Sequence, residues 1–204
     1  MMFSRAVRLT AIALTLSAST AVAQATFTPS YNAPYRAFES HEFGGTFSFP
    51  DGARDYALEA QYRFGHGRFD IGLRGGIFRT EVAGAGETDI VLGIEGRGRV
   101  FDHTQGQIPL DGAVVIGVGT FEFDSWTVPS AGLSLGRRVN LEGFSFVAYG
   151  QPTLFIFSGN GNTDLEFGLG LGADFKIGQT LDLRASFGLF DGPEGFAVSL
   201  VWIR

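Results

Sequence analysis

Apolar and polar side chains alternate with a period of two residues through most of this 204-residue chain. In residues 56–64, for example, Leu58 and Tyr62 fall on one face, whereas Glu59 and Arg63 fall on the other. Successive side chains of a strand point to opposite faces, so the pattern predicts two-faced β-strands. The predicted strands are 38–49, 56–64, 69–77, 90–100, 110–120, 131–139, 144–156, 165–177, 181–189 and 196–203.

This pattern predicts an all-β chain of about ten antiparallel strands. Helix capping signals followed by a 3.6-residue period are missing. The segment 144–156 is the least regular, because both of its faces carry large apolar groups and Pro152 cannot donate to a ladder. If that segment or 38–49 is not a strand, the count falls to eight.

Residue composition indicates which face is buried. A soluble β-sandwich also alternates, with its apolar residues inside. Solvated strands commonly carry lysine, yet Lys176 is the single lysine among 15 basic residues. Arginine suits enclosed ion pairs with several partners. Aromatic residues also cluster near the predicted strand ends, as the interfacial girdles of a transmembrane barrel do. They include Phe47, Phe49, Tyr62, Phe64, Phe69, Phe144, Phe146, Phe155, Phe157, Phe196 and Trp202. We therefore expect apolar residues outside and polar residues inside.

Residues 1–23 have the pattern of a secretory signal peptide. Arg5 and Arg8 form a basic region, residues 9–16 form a short apolar run, and Ala21-Val22-Ala23 is typical of a cleavage site. The apolar run is shorter than the about 20 residues that span a bilayer. We expect export, a mature chain from Gln24, an N-terminal extension over 24–36 and a barrel over 37–204.

With these features the chain resembles the small outer-membrane β-barrel proteins of diderm bacteria, the OmpA/OmpX-like superfamily. The resemblance covers nearly all of residues 37–204 and is one of pattern. Phe196, Val198, Leu200 and Trp202 alternate as in the family's last strand, although Ile203 and Arg204 follow the aromatic residue. The resemblance implies an antiparallel up-and-down transmembrane barrel in the outer membrane. It also implies contact with lipid and lipopolysaccharide, and help from the assembly machinery during biogenesis. We expect a monomer.

The charges on the polar strand faces are expected to form a lumen cluster that closes the barrel, with structural rather than catalytic roles. Ten strands enclose little more than the side chains they carry. The cluster comprises Glu59, Arg63, Asp70, Arg74, Glu95, Arg97, Arg99, Glu166, Asp174, Lys176, Asp182 and Arg184.

Two short hairpins predict how some of these charges pair. A loop of His66-Gly67 would place Arg63 opposite Asp70. A loop of Gly178-Gln179-Thr180 would place Asp174 opposite Arg184, and Lys176 opposite Asp182. Opposite charges on facing strands stabilise a register.

Two motifs resemble functional signatures but lack their structural context. Residues 132–136 match G-x-S-x-G, which needs a strand-to-helix turn to expose its serine. Gly168, Gly170 and Gly172 resemble part of a dinucleotide loop, which also needs a helix. We expect the glycines instead to leave room for long arginine side chains in the lumen.

The expected role is non-enzymatic: a structural or surface-contact protein, or a narrow pore. His41, His66 and His103 all fall at the predicted periplasmic end, so no histidine could serve as a base at the outer rim. We expect no cofactor or metal, and the net charge of −6 gives no reason to expect nucleic acid. Two alternatives stay open. One is a rim enzyme acting on lipid, and the other is a soluble periplasmic barrel that carries a lipid.

Overall fold

The computed structural model describes residues 26–34, 40–50, 56–82, 85–104, 108–121, 126–159, 162–191 and 193–204. The predicted signal peptide and the predicted mature start at Gln24 lie outside these ranges. Most of the predicted N-terminal extension lies within them, as residues 26–34.

Ten strands account for nearly all of the remaining described residues. They are β1 (His41–Pro50), β2 (Tyr56–His66), β3 (Phe69–Val82), β4 (Ala85–Phe101), β5 (Asp111–Phe121), β6 (Trp126–Leu141), β7 (Phe144–Gly159), β8 (Asn162–Lys176), β9 (Leu181–Phe190) and β10 (Gly195–Ile203). Each contains most of one predicted segment, so the prediction of ten strands is confirmed and the alternative of eight is wrong.

The strands form one closed antiparallel barrel in which each strand pairs with its neighbours in sequence. β1 closes the barrel by pairing with β10, and Phe43 lies opposite Trp202. At the same end His41 and Arg204 exchange two backbone hydrogen bonds of 2.9 Å. We call this the proximal end and the opposite one the distal end. The predicted up-and-down barrel is confirmed.

Large apolar side chains cover the outside of the barrel. In β1 the exposed and buried residues alternate along the whole strand. Phe43 is 64% exposed, whereas Glu42 on the other face is fully buried. Similarly, Leu73 on β3 is 55% exposed and Arg74 beside it is buried. An apolar outer face around a polar interior is the arrangement of a transmembrane barrel. Within the described part of the chain, no helix has the length and apolar character needed to cross a membrane.

The hairpin between β8 and β9 has the predicted register. Asp174 lies opposite Arg184 and Lys176 lies opposite Asp182. The backbone N–H groups of Ile177 and Gly178 both donate to the carbonyl of Leu181, which fixes the turn.

The hairpin between β2 and β3 differs from its prediction. β2 ends at His66 and β3 begins at Phe69, so the loop residues are Gly67 and Arg68. Gly67 has a φ of +64° and takes the first loop position, which is where a type II′ turn requires glycine. The register is therefore shifted by two residues, and Arg63 lies opposite Gly72 instead of the predicted aspartate.

The irregular segment predicted at 144–156 is a full strand whose inner face is partly apolar. Tyr149 and Phe155 on β7 are buried inside the barrel. Phe155 and Phe157 both contact the ring of Phe27, with centroid distances of 5.7 and 4.7 Å. Their predicted place in an outer aromatic girdle is therefore wrong, because both rings point inward.

Candidate functional site: the barrel lumen

The structure places most of the predicted lumen charges inside the barrel. Nine are buried: Glu59, Arg63, Asp70, Arg74, Glu95, Arg97, Asp174, Asp182 and Arg184. Arg99 and Glu166 are half-buried, and Lys176 is exposed.

One ion-pair network joins the walls formed by β2, β3 and β4. The Arg63 guanidinium donates to both Asp70 and Glu95. Arg97 also pairs with Asp70, at 2.9 Å. The Asp70–Arg63 pair forms although the two residues are not directly opposite, because Gly72 leaves space for the guanidinium. A Cβ at position 72 would lie 2.8 Å from Arg63 Cζ.

A second network surrounds Arg184 on β9. Its guanidinium donates two hydrogen bonds to the Asp174 carboxylate, of 2.8 and 2.9 Å. It lies 3.7 Å from Glu42 on β1 and donates to the side-chain oxygen of Asn32. All four side chains are buried. Bidentate arginine–carboxylate pairs of this kind are strong and directional.

The lumen also contains the chain's own residues 26–34. Thr26, Thr28, Ser30, Tyr31 and Asn32 are each no more than 1% exposed. The segment passes from Pro34, which lies near Gly136, to Phe27, which contacts Phe155 and Phe157 nearer the distal end. Within the described residues this segment has no strand and no place in the barrel's strand order, so it crosses the lumen without joining the sheet.

Five consecutive carbonyl groups of this segment each accept a hydrogen bond from a lumen side chain. The donors come from five different strands, β9, β3, β7, β6 and β4. They are Ser186 to Pro29 (2.6 Å), Arg74 to Ser30 (2.8 Å), Tyr149 to Tyr31 (2.9 Å), Ser134 to Asn32 (2.9 Å) and Arg97 to Ala33. A buried carbonyl without a partner costs about 1–3 kcal/mol, so this set meets the main requirement for burying an extended chain.

Side chains of the segment fit separate places on the wall. A Cβ at Gly170 would overlap the Tyr31 ring, so only glycine admits that ring. Thr28 donates to Glu59 over 2.6 Å. Asn32 is held from both sides, because it accepts from Arg184 and donates to Glu95 over 3.5 Å.

Two glycines of the β8 motif admit tyrosine rings rather than the expected arginine side chains. Gly170 faces the Tyr31 ring, and Gly172 faces the ring of Tyr149. The G-x-S-x-G match is part of β6, and its serine, Ser134, is buried and donates to the carbonyl of Asn32. Neither motif has the loop and helix that its functional counterpart requires.

Several lumen contacts involve residues outside the predicted charge cluster. Glu42, Ser134, Tyr149 and Ser186 all contact the segment or the Arg184 network. Their inward positions follow the strand period, so the alternation could have placed them. The apolar residues on the inner face of β7 were the available sign that something other than water or charge fills the lumen.

A separate polar cluster lies at the proximal end, after β4. Asp102, His103 and Asp111 bring one ligand atom each to within 4.8 Å of one another. His103 Nδ1 is 2.9 Å from both carboxylate oxygens of Asp111. Hydrogen bonds from the hydroxyl and backbone N–H of Thr104, and the nearby Arg99 charge, hold the pKa of Asp102 below its usual range. Hydrogen bonds between these residues and Thr104 hold the cluster together.

Comparison with known proteins yields similarity only at the level of solved structures. No protein-family model matches the sequence, and no curated protein matches it. The β domain of the Bordetella autotransporter BrkA superposes with a TM-score of 0.46 and 15% identity, over 80% of this chain and 98% of that chain. OmpT, an outer-membrane protein of Vibrio cholerae folded in vitro and in its trimer form, superposes with a TM-score of 0.34 and 13% identity, over 74% of this chain and 56% of that chain. The function is therefore inferred from this chain's own geometry.

Proposed function

We propose that the protein is a non-enzymatic outer-membrane β-barrel whose lumen is closed in its resting state. Its role is structural or one of surface contact, and solutes pass only when residues 26–34 leave the lumen. The observation that carries this proposal is that the segment and the two ion-pair networks occupy the interior together. A hydrated pore would hold its charges apart across water, whereas here they pair and are buried.

The outer surface supports the membrane location. Leu165 and Phe69 are 68% and 69% exposed, and such residues recur around the barrel. A soluble protein rarely exposes an apolar surface of this extent. Lipid and lipopolysaccharide are the partners that this surface fits, and the predicted signal peptide provides the route of export.

The two alternative functions have less support. A lipid-carrying barrel needs an apolar lumen, but this one is filled by charged groups and a peptide segment. For a rim enzyme, all three histidines lie at the proximal end: His41 begins β1, His66 ends β2 and His103 follows β4. They are therefore remote from the distal rim, so carboxylates there, such as those of Asp164 and Asp191, would lack an imidazole partner.

Single-channel recording of the refolded, mature protein in planar bilayers tests the closed state. We expect no stable current from the native barrel. Heat-modifiable migration in detergent gels provides the matched check that the sample is a folded barrel. Large, steady currents from folded native protein would refute the proposal and indicate an open porin. Folding in water without detergent or lipid would instead favour the soluble carrier.

A further inference from the structure

We propose that the lumen is a peptide-binding site, and that residues 26–34 are its intramolecular ligand. The ligand class is an extended, uncharged peptide with an aromatic side chain near its centre. This inference goes beyond a closed barrel, because it states that a separate peptide of that chemistry binds in the same place when the tethered segment is displaced.

The first argument concerns the main chain. The wall supplies a side-chain donor to each carbonyl from Pro29 to Ala33. Ser186 also accepts from the backbone N–H of Tyr31, at 3.3 Å. Because these groups bind the main chain, they would also satisfy the carbonyl groups of another extended peptide in the same position. Recognition through the main chain of an extended peptide is what this arrangement provides.

The second argument concerns selectivity. Gly170 leaves the space that the Tyr31 ring occupies. The Asn32 side chain binds one cation, Arg184, and one carboxylate, Glu95. Residues 26–34 carry no charge of their own. A charged residue in place of Tyr31 or Ala33 would lie in the buried cluster that these two residues form with Val147 and Tyr149, and would remain unpaired there.

The third argument concerns exchange. Side chains of the wall donate the hydrogen bonds to the carbonyl groups from Pro29 to Ala33, and the described segment is not part of the sheet. The ten strands close without the segment, so the binding groups remain on the wall when it leaves. A short tether typically raises a ligand's effective concentration into the millimolar range. The binding of the chain's own residues 26–34 must therefore be weakened before a free peptide can compete with them for the lumen.

The full-length variant Ala33→Lys provides such a barrel. Ala33 is fully buried in a cluster with Tyr31, Val147 and Tyr149, so a lysine there would place an unpaired cation among these side chains. We expect this variant to conduct in planar bilayers. A synthetic peptide of residues 26–34 should then block the current in a saturable manner. A scrambled peptide should not, and replacing Tyr31 by Ala in the peptide should raise the half-blocking concentration at least about tenfold. Thr163→Lys, which adds the same charge at an exposed position, is the matched control and should stay closed.

A cross-linking experiment decides the question if Ala33→Lys does not fold or does not conduct. The chain has no cysteine. In the Gly170→Cys variant the new Cβ would overlap the Tyr31 ring and weaken the tethered copy. With copper–phenanthroline and dissolved oxygen as the oxidant that accepts the two electrons, a free peptide with Tyr31→Cys should form a mixed disulfide with that barrel, detected by mass. It should not react with Leu169→Cys, whose side chain is on the outer face.

The outcomes separate this inference from the proposed function. Saturable block, or a disulfide at position 170 alone, supports the peptide site. A conducting Ala33→Lys barrel that millimolar native peptide does not block would overturn it, as would cross-linking that is absent or equal at positions 169 and 170. Either negative result leaves a closed native barrel unaffected. Conduction by the unmodified protein would refute the proposed function alone.

Discussion

Replacing Arg184 by alanine should be among the most destabilising single changes in the lumen. The guanidinium is 1% exposed, and its loss would leave the buried carboxylates of Asp174 and Glu42 without their cation. Removing one partner of a buried ion pair costs about 3–5 kcal/mol, because the remaining charge stays unpaired. With a urea dependence of about 2 kcal/mol per molar, the unfolding midpoint should fall by roughly 2 M.

Urea unfolding in lipid vesicles, followed by fluorescence of the two tryptophans, measures this shift. The matched control is Lys176→Ala, which removes an exposed cation from the same hairpin and should change stability by less than about 1 kcal/mol. The double variant Arg184→Ala with Asp174→Ala should recover part of the lost stability, since the unpaired carboxylate of Asp174 is then absent. Equal midpoints for Arg184→Ala and Lys176→Ala would refute the reasoning.

Three further predictions follow from other parts of the barrel. Leu73→Arg should weaken folding into bilayers by about 2–4 kcal/mol, measured by vesicle refolding, because this exposed side chain would meet lipid; an unchanged yield and midpoint would contradict the membrane assignment. Cysteines introduced together at positions 31 and 170 should form a disulfide in the folded barrel under an added oxidant, because a Cβ at position 170 would meet the ring carbons of Tyr31. If the two thiols do not oxidise to a disulfide, the segment lies elsewhere. In an NMR titration Asp102 should have a pKa below that of an ordinary aspartate. Thr104→Ala should raise this pKa, since the hydrogen bonds from that threonine stabilise the carboxylate. The stability that this group contributes should be present above its unfolded-state pKa and lost as the pH falls through the lower folded-state pKa.

The sequence predicted the strands well, because alternation is a strong local signal. It predicted the β8–β9 register for the same reason, with charge pairs and a short loop in agreement. The β2–β3 register failed because two loops were possible around Gly67. Charge pairing could not distinguish them, since Arg63 reaches Asp70 across Gly72 even from the shifted register.

The place of residues 26–34 could not be predicted from local pattern. The segment has no strand or helix period, and its conformation depends on partners far away in sequence, such as Ser186 and Tyr149. Residues 144–156 are the least regular predicted strand because both of their faces are apolar. The structure gives the reason, since the inner face of β7 contacts Phe27, Tyr31 and Ala33.

The distances along the chain between the segment and its donors have a consequence for the order of folding. The bond from Arg74 to Ser30 spans 44 residues, whereas that from Ser186 to Pro29 spans 157. Contacts between such distant positions form late, because the entropy of closing the loop is lost before they contribute. If the strands form in order from β1, side chains of β3 and β4 can bind the segment first. The five hydrogen bonds to its carbonyl groups are complete only when β9 is in place. Final docking should therefore accompany barrel closure, and a chain truncated before β9 should leave its N-terminal segment sensitive to protease.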